Sequence, residues 1–322
     1  PPPPPPPPPP PTHPPPPPTP PPSSNRRQRQ MCIRDRCEQA RIAAVALADH
    51  YLYGDSPQEW AAPAYDSLVQ TAALARDTST VELVMLVSPI TFRHPAVYAK
   101  TITTVDEISG GRFVFGLGTG WHDGEHEVFG FEYPPMATRF EWLEDALAYL
   151  RTFLDDPSEG YDGVHWARAA QEINPAARSD LRLMVGGGGP VKTPTLVGRF
   201  ANEYNLYHHE RVGVEERLAV MKQAAIDAGR NPDDILITTC YPMIGGVDER
   251  EIDEFFRDLA DRRGVDAAEL REKLGKRVTI APWEIHRDKL GELEALGFER
   301  VYLQGVASVP WAVESALAAL TS

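Results

Sequence analysis

Short apolar runs alternate with longer amphipathic segments along most of this chain, and this alternation restricts the fold more than any other feature. Apolar runs of about four to eight residues are typical of buried strands, whereas apolar residues three or four positions apart are typical of helices. A regular succession of the two predicts βα repeats around a parallel sheet. Seven runs are predicted strands: Ala44 to Ala48, Val81 to Ser88, Phe113 to Leu117, Leu181 to Val185, Glu203 to Tyr207, Ile235 to Tyr241 and Arg300 to Gln304.

Seven βα units in series are one fewer than the eight of a closed barrel. We therefore predict an α/β fold, a (β/α)8 TIM barrel that lacks its first strand, because residues 1–36 do not have the composition of a βα unit. The barrel domain is expected to span residues 37–322. A single domain of this length is sufficient, since such barrels commonly have about 250 residues.

Residues 1–36 differ in composition from the rest of the chain. Nineteen of the 33 prolines lie between Pro1 and Pro22, and a proline run forms a solvated polyproline II segment that builds no core. Residues 23–36 add five arginines and one aspartate without hydrophobic periodicity, which predicts disorder. A proline-rich ligand followed by a basic patch is the alternative interpretation. We expect instead that this tail is not native, because MCIRDR, from Met31 to Arg36, resembles translated adapter sequence.

Two helices have clear boundary signals. Thr138 and Glu141 have the spacing of a capping box and precede apolar residues at helical intervals, so a helix is expected to start at Thr138. Pro95 suits the first turn of another helix, which should stop at the glycine pair that follows it. Two long connections are expected either to shape a substrate mouth or to be packing decoration. These are Asp155 to Asp180 and the mostly helical Gly246 to Ile280.

The composition restricts the partners of the protein. The formal net charge is −14 at pH 7, and an acidic surface repels nucleic acid and anionic membranes. We therefore expect a small-molecule substrate and neither of those partners. Three cysteines are too few for a disulfide framework, and the sequence has no apolar run of the roughly 18 residues that a membrane span needs. These features predict a cytoplasmic protein.

In a βα barrel the active site lies where the strands end, so residues directly after the strands are candidate functional residues. The first run ends in Asp49 and His50, a carboxylate and an imidazole that can orient a cofactor and transfer a proton. A structural hydrogen-bonded pair is the alternative. The second run ends at Ser88, before a proline, and an X-Pro bond can bend the backbone, for example as a cis peptide. Arg93 and His94 are expected to be structural.

Glycines follow the third and fourth runs. Gly116 to Gly120 have three glycines at alternate positions, which allow a ligand to approach the backbone closely, and the following Trp121 can stack on an aromatic ring. The segment His122 to Glu127 offers metal ligands, but its irregular spacing favours a solvated loop, and we expect no metal site. Gly186 to Gly189 precede a helix near Thr193, and consecutive N–H groups at a helix N-terminus suit a phosphate. A flexible turn is the alternative.

The order of these motifs resembles the luciferase-like monooxygenase superfamily. The similarity runs from about Val45 to Val306 through ADHYLYG, PPMATRFEWLEDAL, LMVGGGGP and FANEYN, and it is most specific in RHPAVYAKTITTVDEISGGRFVFGLGTGW. The resemblance implies a barrel that binds either the 5-deazaflavin coenzyme F420 or FMN, with the ring over the C-terminal ends of the strands. Asp49 and His50 together with Trp121 are closer to the F420-dependent branch. A homodimer is also implied.

The same resemblance implies roles for individual residues. His50 is the expected proton donor or acceptor near the reactive carbon of the ring, Asp49 is expected to hold the polar edge of the cofactor, and Ser88 belongs to the bulge behind the ring. In sugar-phosphate dehydrogenases of this branch a glutamate stands at the position of Trp121, which argues against that substrate. The other expected cofactor-binding residues lie in the glycine-rich loops: Gly118, Thr119, Gly120, Trp121, Gly186, Gly187, Gly188 and Gly189.

The main functional prediction is therefore an oxidoreductase that transfers a hydride between a deazaflavin and a small organic substrate. The cofactor carries the difficult chemistry, and the protein supplies binding, orientation and one proton. An FMN-dependent monooxygenase that consumes oxygen is the first alternative. A truncated, non-catalytic barrel with exposed strand edges is the second. A non-redox phosphate-binding barrel is the third, although no lysine stands at a predicted strand end to form a Schiff base.

Overall fold

The computed structural model describes residues 42–54, 64–176, 178, 181–207, 213–305 and 309–320, so the tail over residues 1–36 lies outside the described residues. The strands are β1 (Ala44–Leu47), β2 (Glu82–Pro89), β3 (Phe113–Gly118), β4 (Tyr161–Asp162), β5 (Ala167–Arg168), β6 (Arg182–Gly186), β7 (Glu203–Asn205), β8 (Leu236–Gly246), β9 (Thr279–Pro282) and β10 (Arg300–Gln304). The helices are α1 (Ser67–Asp77), α2 (Pro95–Ser109), α3 (Asp123–Phe129), α4 (Met136–Asp155), α5 (Lys192–Phe200), α6 (Val214–Asp227), α7 (Glu249–Arg263), α8 (Ala267–Gly275), α9 (Trp283–Ala295) and α10 (Pro310–Leu320).

The seven strands predicted from the sequence form one sheet in the order β1-β2-β3-β6-β7-β8-β10, and the prediction of a parallel βα fold is confirmed. Neighbouring strands run parallel throughout, from the pair Ala44 and Glu82 at one end to the pair Arg300 and Thr238 at the other. Strand β9 pairs with the extended end of β8 and was not predicted. Parallel strands need crossover connections, which are the helices between them.

The sheet curves into a nearly closed barrel, and an ion-pair network inside it marks the curvature. Glu82 on β2 accepts hydrogen bonds from Arg182 on β6 and from Arg300 on β10. Since β10 stands at the far end of the sheet order from β1, the contact with Arg300 requires the two ends to approach each other. Within the described ranges β1 and β10 do not pair, which agrees with the predicted barrel that is one strand short.

Helix α2 has the boundaries that its capping signals predict, and helix α4 does not. Helix α2 begins at Pro95 and ends at Gly110, which adopts the left-handed conformation with φ of 71°, as predicted. Helix α4 begins at Met136 and has no side-chain cap, so the predicted start at Thr138 is wrong. The two prolines before Met136 hold the chain at a φ that is compatible with helix, and the helix therefore starts earlier than the capping-box pattern indicates.

The long connection after α4 is organised by one buried carboxylate. Asp145 accepts hydrogen bonds from the hydroxyl of Tyr161 at 2.6 Å and from the backbone N–H groups of His165 and Trp166 at 2.6 and 3.0 Å. These bonds attach the β4-β5 hairpin to the outside of the barrel. None of the helices in the described ranges combines the length and the apolarity that crossing a membrane needs.

Candidate active site

A cavity of about 1010 Å³ opens at the C-terminal ends of the barrel strands, a size at the upper end for small-molecule sites. It brings together both glycine-rich loops and the residues after β1, so these sequence-predicted site residues share one rim. Ser88 is fully buried and does not line the cavity, and Gly188 and Gly189 lie half-buried beyond its lining. Eight predicted site residues line it: Asp49, His50, Gly118, Thr119, Gly120, Trp121, Gly186 and Gly187.

The two long connections behave differently towards this cavity. No described residue between Asp155 and Asp180 lines it, which favours the interpretation of that connection as packing decoration. The second connection contributes the segment from Gly275 to Thr279, which includes Lys276 and Arg277. Asp49 is the one carboxylate among the described lining residues. The second connection therefore adds positive charge to the mouth of the cavity.

His50 is held by a buried glutamate from α3. Nδ1 of His50 lies 2.9 Å from Oε2 of Glu125, whose Oε1 accepts hydrogen bonds from the backbone N–H groups of Tyr51 at 2.6 Å and Leu52 at 2.9 Å. Burial alone would raise the pKa of the fully buried Glu125, but the bonds from His50 and the two N–H groups lower it below its ordinary value. Glu125 is therefore ionised at neutral pH.

Three imidazoles lie close together here, and they differ in how many of their nitrogens are bonded. His122 uses Nδ1 to accept from the N–H of Glu125 and Nε2 to donate to Gly54 O at 2.9 Å. His126 bonds through Nδ1 to His122 O and through Nε2 to the Thr91 hydroxyl, both at 2.7 Å, and burial lowers its pKa. Of the three, His50 alone has a ring nitrogen, Nε2, without a protein partner among the described residues.

The carboxylate of Asp49 is occupied by neighbouring side chains. It accepts from the Ser88 hydroxyl at 2.6 Å and from Arg93 at 2.5 Å, and Arg93 also bonds to Asp66 at 2.6 Å. Asp49 is only 1% exposed. This arrangement favours the structural interpretation of the Asp49 side chain, and it agrees with the structural role expected for Arg93. His94 likewise caps helix α2 by accepting from the N–H of Ala96 at 3.0 Å.

Three glycines make room for Val87, and two of them, Gly118 and Gly186, line the cavity. A Cβ atom added to Gly118 would lie 3.0 Å from the Val87 side chain, and one added to Gly186 would lie 2.9 Å from it. A Cβ atom on Gly116 would meet Met85 O at 2.3 Å as well as Val87 at 2.6 Å. The absence of a side chain at these three positions leaves room for Val87, which supplies an apolar part of the cavity wall. The cis peptide bond of β2 joins Leu86 and Val87. The Ser88–Pro89 bond, which the sequence suggested as a possible cis bond, is not cis.

Helix α5 starts directly after the second glycine-rich loop and has no side-chain cap. The N–H of Gly187 donates to Asn205 O at 3.0 Å, so it is already used within the barrel. The N–H groups of Gly188, Gly189 and Lys192 have no acceptor among the described residues. Arg217 donates to Gly188 O at 3.0 Å, which adds a cation beside this uncapped helix end. Such an end attracts anions.

Trp121 stands at the mouth of the cavity and is 65% exposed. Its ring meets the His50 ring edge-on, with the centroids 5.6 Å apart and an interplanar angle of 76°. Tyr53 lies on another side of His50 at 6.1 Å between centroids. Aromatic rings beside this imidazole provide a surface on which a flat apolar molecule can pack.

The sequence analysis missed the role of Glu125. The segment His122 to Glu127 was expected to be a solvated loop, which is wrong, because Asp123–Phe129 forms α3 with His122 as its N-cap and Gly130 as its C-cap. A usable signal was present: Asp123 and Glu125 lie in the first turn of α3, and Gly130 follows its last turn. Acidic residues at the start of a segment and a glycine just after its end are typical of a helix. The pairing of Glu125 with His50 joins residues 75 positions apart, and no local pattern predicts such a contact.

Comparison with known proteins identifies the relatives of this chain. It is 29% identical over 182 residues to the pyrimidine monooxygenase RutA of Pseudomonas savastanoi pv. phaseolicola, which covers 54% of this chain and 48% of that protein. It is 28% identical over 162 residues to the F420-dependent glucose-6-phosphate dehydrogenase of Amycolatopsis mediterranei, which covers 48% of this chain and 46% of that protein. The chain thus spans about half the length of these curated relatives.

The fold and a family model agree with these matches. The solved structure of the monooxygenase RslO1 from Streptomyces bottropensis superposes with a TM-score of 0.72 at 19% identity, covering 93% of this chain and 92% of that one. At that identity the likeness shows the barrel fold alone. The family model described as luciferase-like monooxygenase matches residues 12–281. This match covers most of the chain, and the protein belongs to the luciferase-like monooxygenase family.

Proposed function

We propose that this protein is an oxidoreductase that transfers a hydride between the deazaflavin coenzyme F420 and a small organic substrate, with His50 taking or giving the accompanying proton. One observation carries the proposal: Nε2 of His50, without a protein partner among the described residues, belongs to a side chain on the wall of the cavity that both glycine-rich loops line. Removing a hydride from an alcohol carbon requires a group that accepts the hydroxyl proton, and an imidazole suits this at neutral pH.

The residues around the cavity fit a planar cofactor with an anionic tail. Val87 supplies an apolar surface, and the uncapped start of α5, with Arg217 and Lys192, supplies positive charge for a phosphate. The lining carboxylate, Asp49, is already neutralised by Arg93. When bound, a deazaflavin provides the carbon atom that accepts or returns the hydride.

The proton chemistry follows from the state of His50. In the oxidative direction, Nε2 accepts the proton of the substrate hydroxyl while the carbon–hydrogen bond breaks and its electron pair leaves with the hydrogen as hydride. The alcohol becomes a carbonyl compound, and His50 becomes an imidazolium beside the Glu125 carboxylate, which stabilises it. In the reductive direction, the imidazolium returns the proton to the carbonyl oxygen.

An FMN-dependent monooxygenase is the second candidate, and the 29% identity to a pyrimidine monooxygenase favours it. FMN also carries a phosphate, so the start of α5 suits either cofactor. Oxygen consumption separates the two, because the monooxygenase uses oxygen and hydride transfer to an organic substrate does not. Oxygen uptake with reduced FMN, in place of coenzyme-dependent alcohol oxidation, would favour the second candidate.

The binding part of the proposal is tested by equilibrium titration of the full chain with oxidised F420 and with FMN, followed by fluorescence. We expect F420 to bind, and failure of both cofactors to bind would refute the proposal. Lys192→Met removes a cation at the start of α5 and should weaken binding by about 1 kcal/mol, or about fivefold. Arg199→Met is the matched control, since Arg199 lies in the last turn of the same helix and pairs with Glu144.

The catalytic part is tested by oxidation of a panel of secondary alcohols, followed through the absorbance of oxidised F420. His50→Asn should lower kcat between about 100-fold and 10,000-fold, the usual contribution of a general base. Its affinity for the coenzyme should stay unchanged. Equal turnover by the His50→Asn variant would contradict the assignment of His50.

A further inference from the structure

Glu125 contacts two different groups with its two oxygens, and this division fixes its orientation. Oε1 receives two backbone N–H donors, those of Tyr51 and Leu52. Oε2 faces Nδ1 of His50 at 2.9 Å. The side chain is fully buried, so water does not compete for either oxygen. Because the N–H groups of Tyr51 and Leu52 both donate, the side-chain atom at position 125 that faces them must be a hydrogen-bond acceptor.

The bond to Oε2 has a consequence for the protons of His50. An ionised carboxylate only accepts hydrogen bonds, so the nitrogen that faces it must carry the proton. Neutral His50 is then the Nδ1–H tautomer, and its second nitrogen, Nε2, carries a lone pair. A neutral imidazole has one donor and one acceptor nitrogen, and the partner of one decides the role of the other.

We propose that Glu125 is a positioning residue that selects the Nδ1–H tautomer of His50 and so presents the Nε2 lone pair to the cavity. The catalytic consequence rests on the proposed function, because a general base needs that lone pair. The tautomer itself does not depend on any cofactor. The competing explanation is that Glu125 only clamps the turn after β1 through Tyr51 and Leu52 and has no effect on which nitrogen of His50 is protonated.

Glu125→Gln separates these explanations because glutamine has one oxygen and one NH2 group. The two backbone N–H donors at 2.6 and 2.9 Å need the oxygen, since an NH2 group there would face two other donors. The NH2 group must then face Nδ1 of His50 and donate to it. The variant keeps the clamp on the turn and reverses the tautomer, so that Nε2 carries the proton.

The experiment is NMR of imidazole nitrogens in the ¹⁵N-labelled full chain without coenzyme, at a pH at which His50 is neutral by titration. The His50 signals are assigned by their disappearance in His50→Asn. We expect the Nδ1–H pattern in the wild type and the Nε2–H pattern in Glu125→Gln. Glu127→Gln is the matched control, because Glu127 is an exposed acid on the same helix and the substitution makes the same change in charge. It should keep the wild-type pattern.

Two results would overturn the proposal. An Nε2–H pattern in the wild type would do so even if the variant failed to fold, and an unchanged Nδ1–H pattern in folded Glu125→Gln would show that Glu125 does not select the tautomer. In the alcohol assay, Glu125→Gln should lower kcat by about 100-fold or more while coenzyme affinity stays unchanged, as for a base that presents a proton in place of a lone pair. Failure of the coenzyme to bind would refute the proposed function and leave the NMR result standing.

Discussion

The packing of Val87 against glycines gives a prediction whose magnitude follows from the distances. In Gly186→Ala the new methyl group would lie 2.9 and 3.1 Å from the two methyl carbons of Val87, well inside the ordinary contact range of 3.4–4 Å. Overpacking of this kind costs about 1–3 kcal/mol of the free energy of unfolding. The obstacle is a side chain and not the backbone, so removing it should relieve the clash.

A double-mutant cycle measures that relief. Val87→Ala removes the two methyl groups and, because Val87 is only half-buried, should cost about 1 kcal/mol by itself. If the clash is the cause, the double variant Val87→Ala with Gly186→Ala should be about as stable as Val87→Ala alone. The coupling free energy would then be about 1–3 kcal/mol in favour of the double variant.

The assay is urea unfolding of the four proteins, with the slope m checked to be unchanged. The control cycle uses Gly116→Ala, whose added Cβ would meet the backbone oxygen of Met85 at 2.3 Å in addition to Val87. Val87→Ala does not remove that oxygen, so rescue should be small. Additive losses in the Gly186 cycle, within about 0.5 kcal/mol, would refute the packing explanation.

Two further predictions concern pH and backbone conformation. Burial raises the pKa of Glu203 above its ordinary value, so its contribution to stability is complete at a pH below 4.5 and declines as the pH rises through the folded-state pKa. Glu203→Gln keeps an acceptor for the Tyr302 hydroxyl. The difference in the free energy of unfolding between this variant and the wild type, measured with urea, should favour the variant more at pH 7 than at pH 4. An equal difference at both pH values would contradict this. Gly110 has a φ of 71°, and no atom lies within 4 Å of an added Cβ, so Gly110→Ala should lower the free energy of unfolding by about 1 kcal/mol through backbone strain alone. Gly291→Ala, inside helix α9, should raise it by up to about 1 kcal/mol. The two changes are measured as shifts in Tm, and equal shifts would argue against the left-handed cap.

The sequence alone was sufficient for the βα succession and for the position of the cavity at the strand ends. Seven strands were predicted because the spacing of apolar residues is a local property that reports which side of an element is buried. The same local chemistry predicted that α2 begins at Pro95 and ends at a left-handed glycine. Because parallel strands of a barrel end at one edge, His50 and the two glycine-rich loops were predicted to share a single rim, and all three contribute to the lining of one cavity.

The tertiary structure decided what those residues do at the rim. Gly116, Gly118 and Gly186 were interpreted as space for a ligand, and the structure shows that they also accommodate the Val87 side chain from strand β2. Which nitrogen of His50 is bonded depends on Glu125, 75 residues away on a helix that was predicted to be a loop. Local periodicity reports burial and secondary structure. The partner of each buried polar group is set by the barrel closing around it, because only the closed fold brings distant strands and helices within hydrogen-bonding distance.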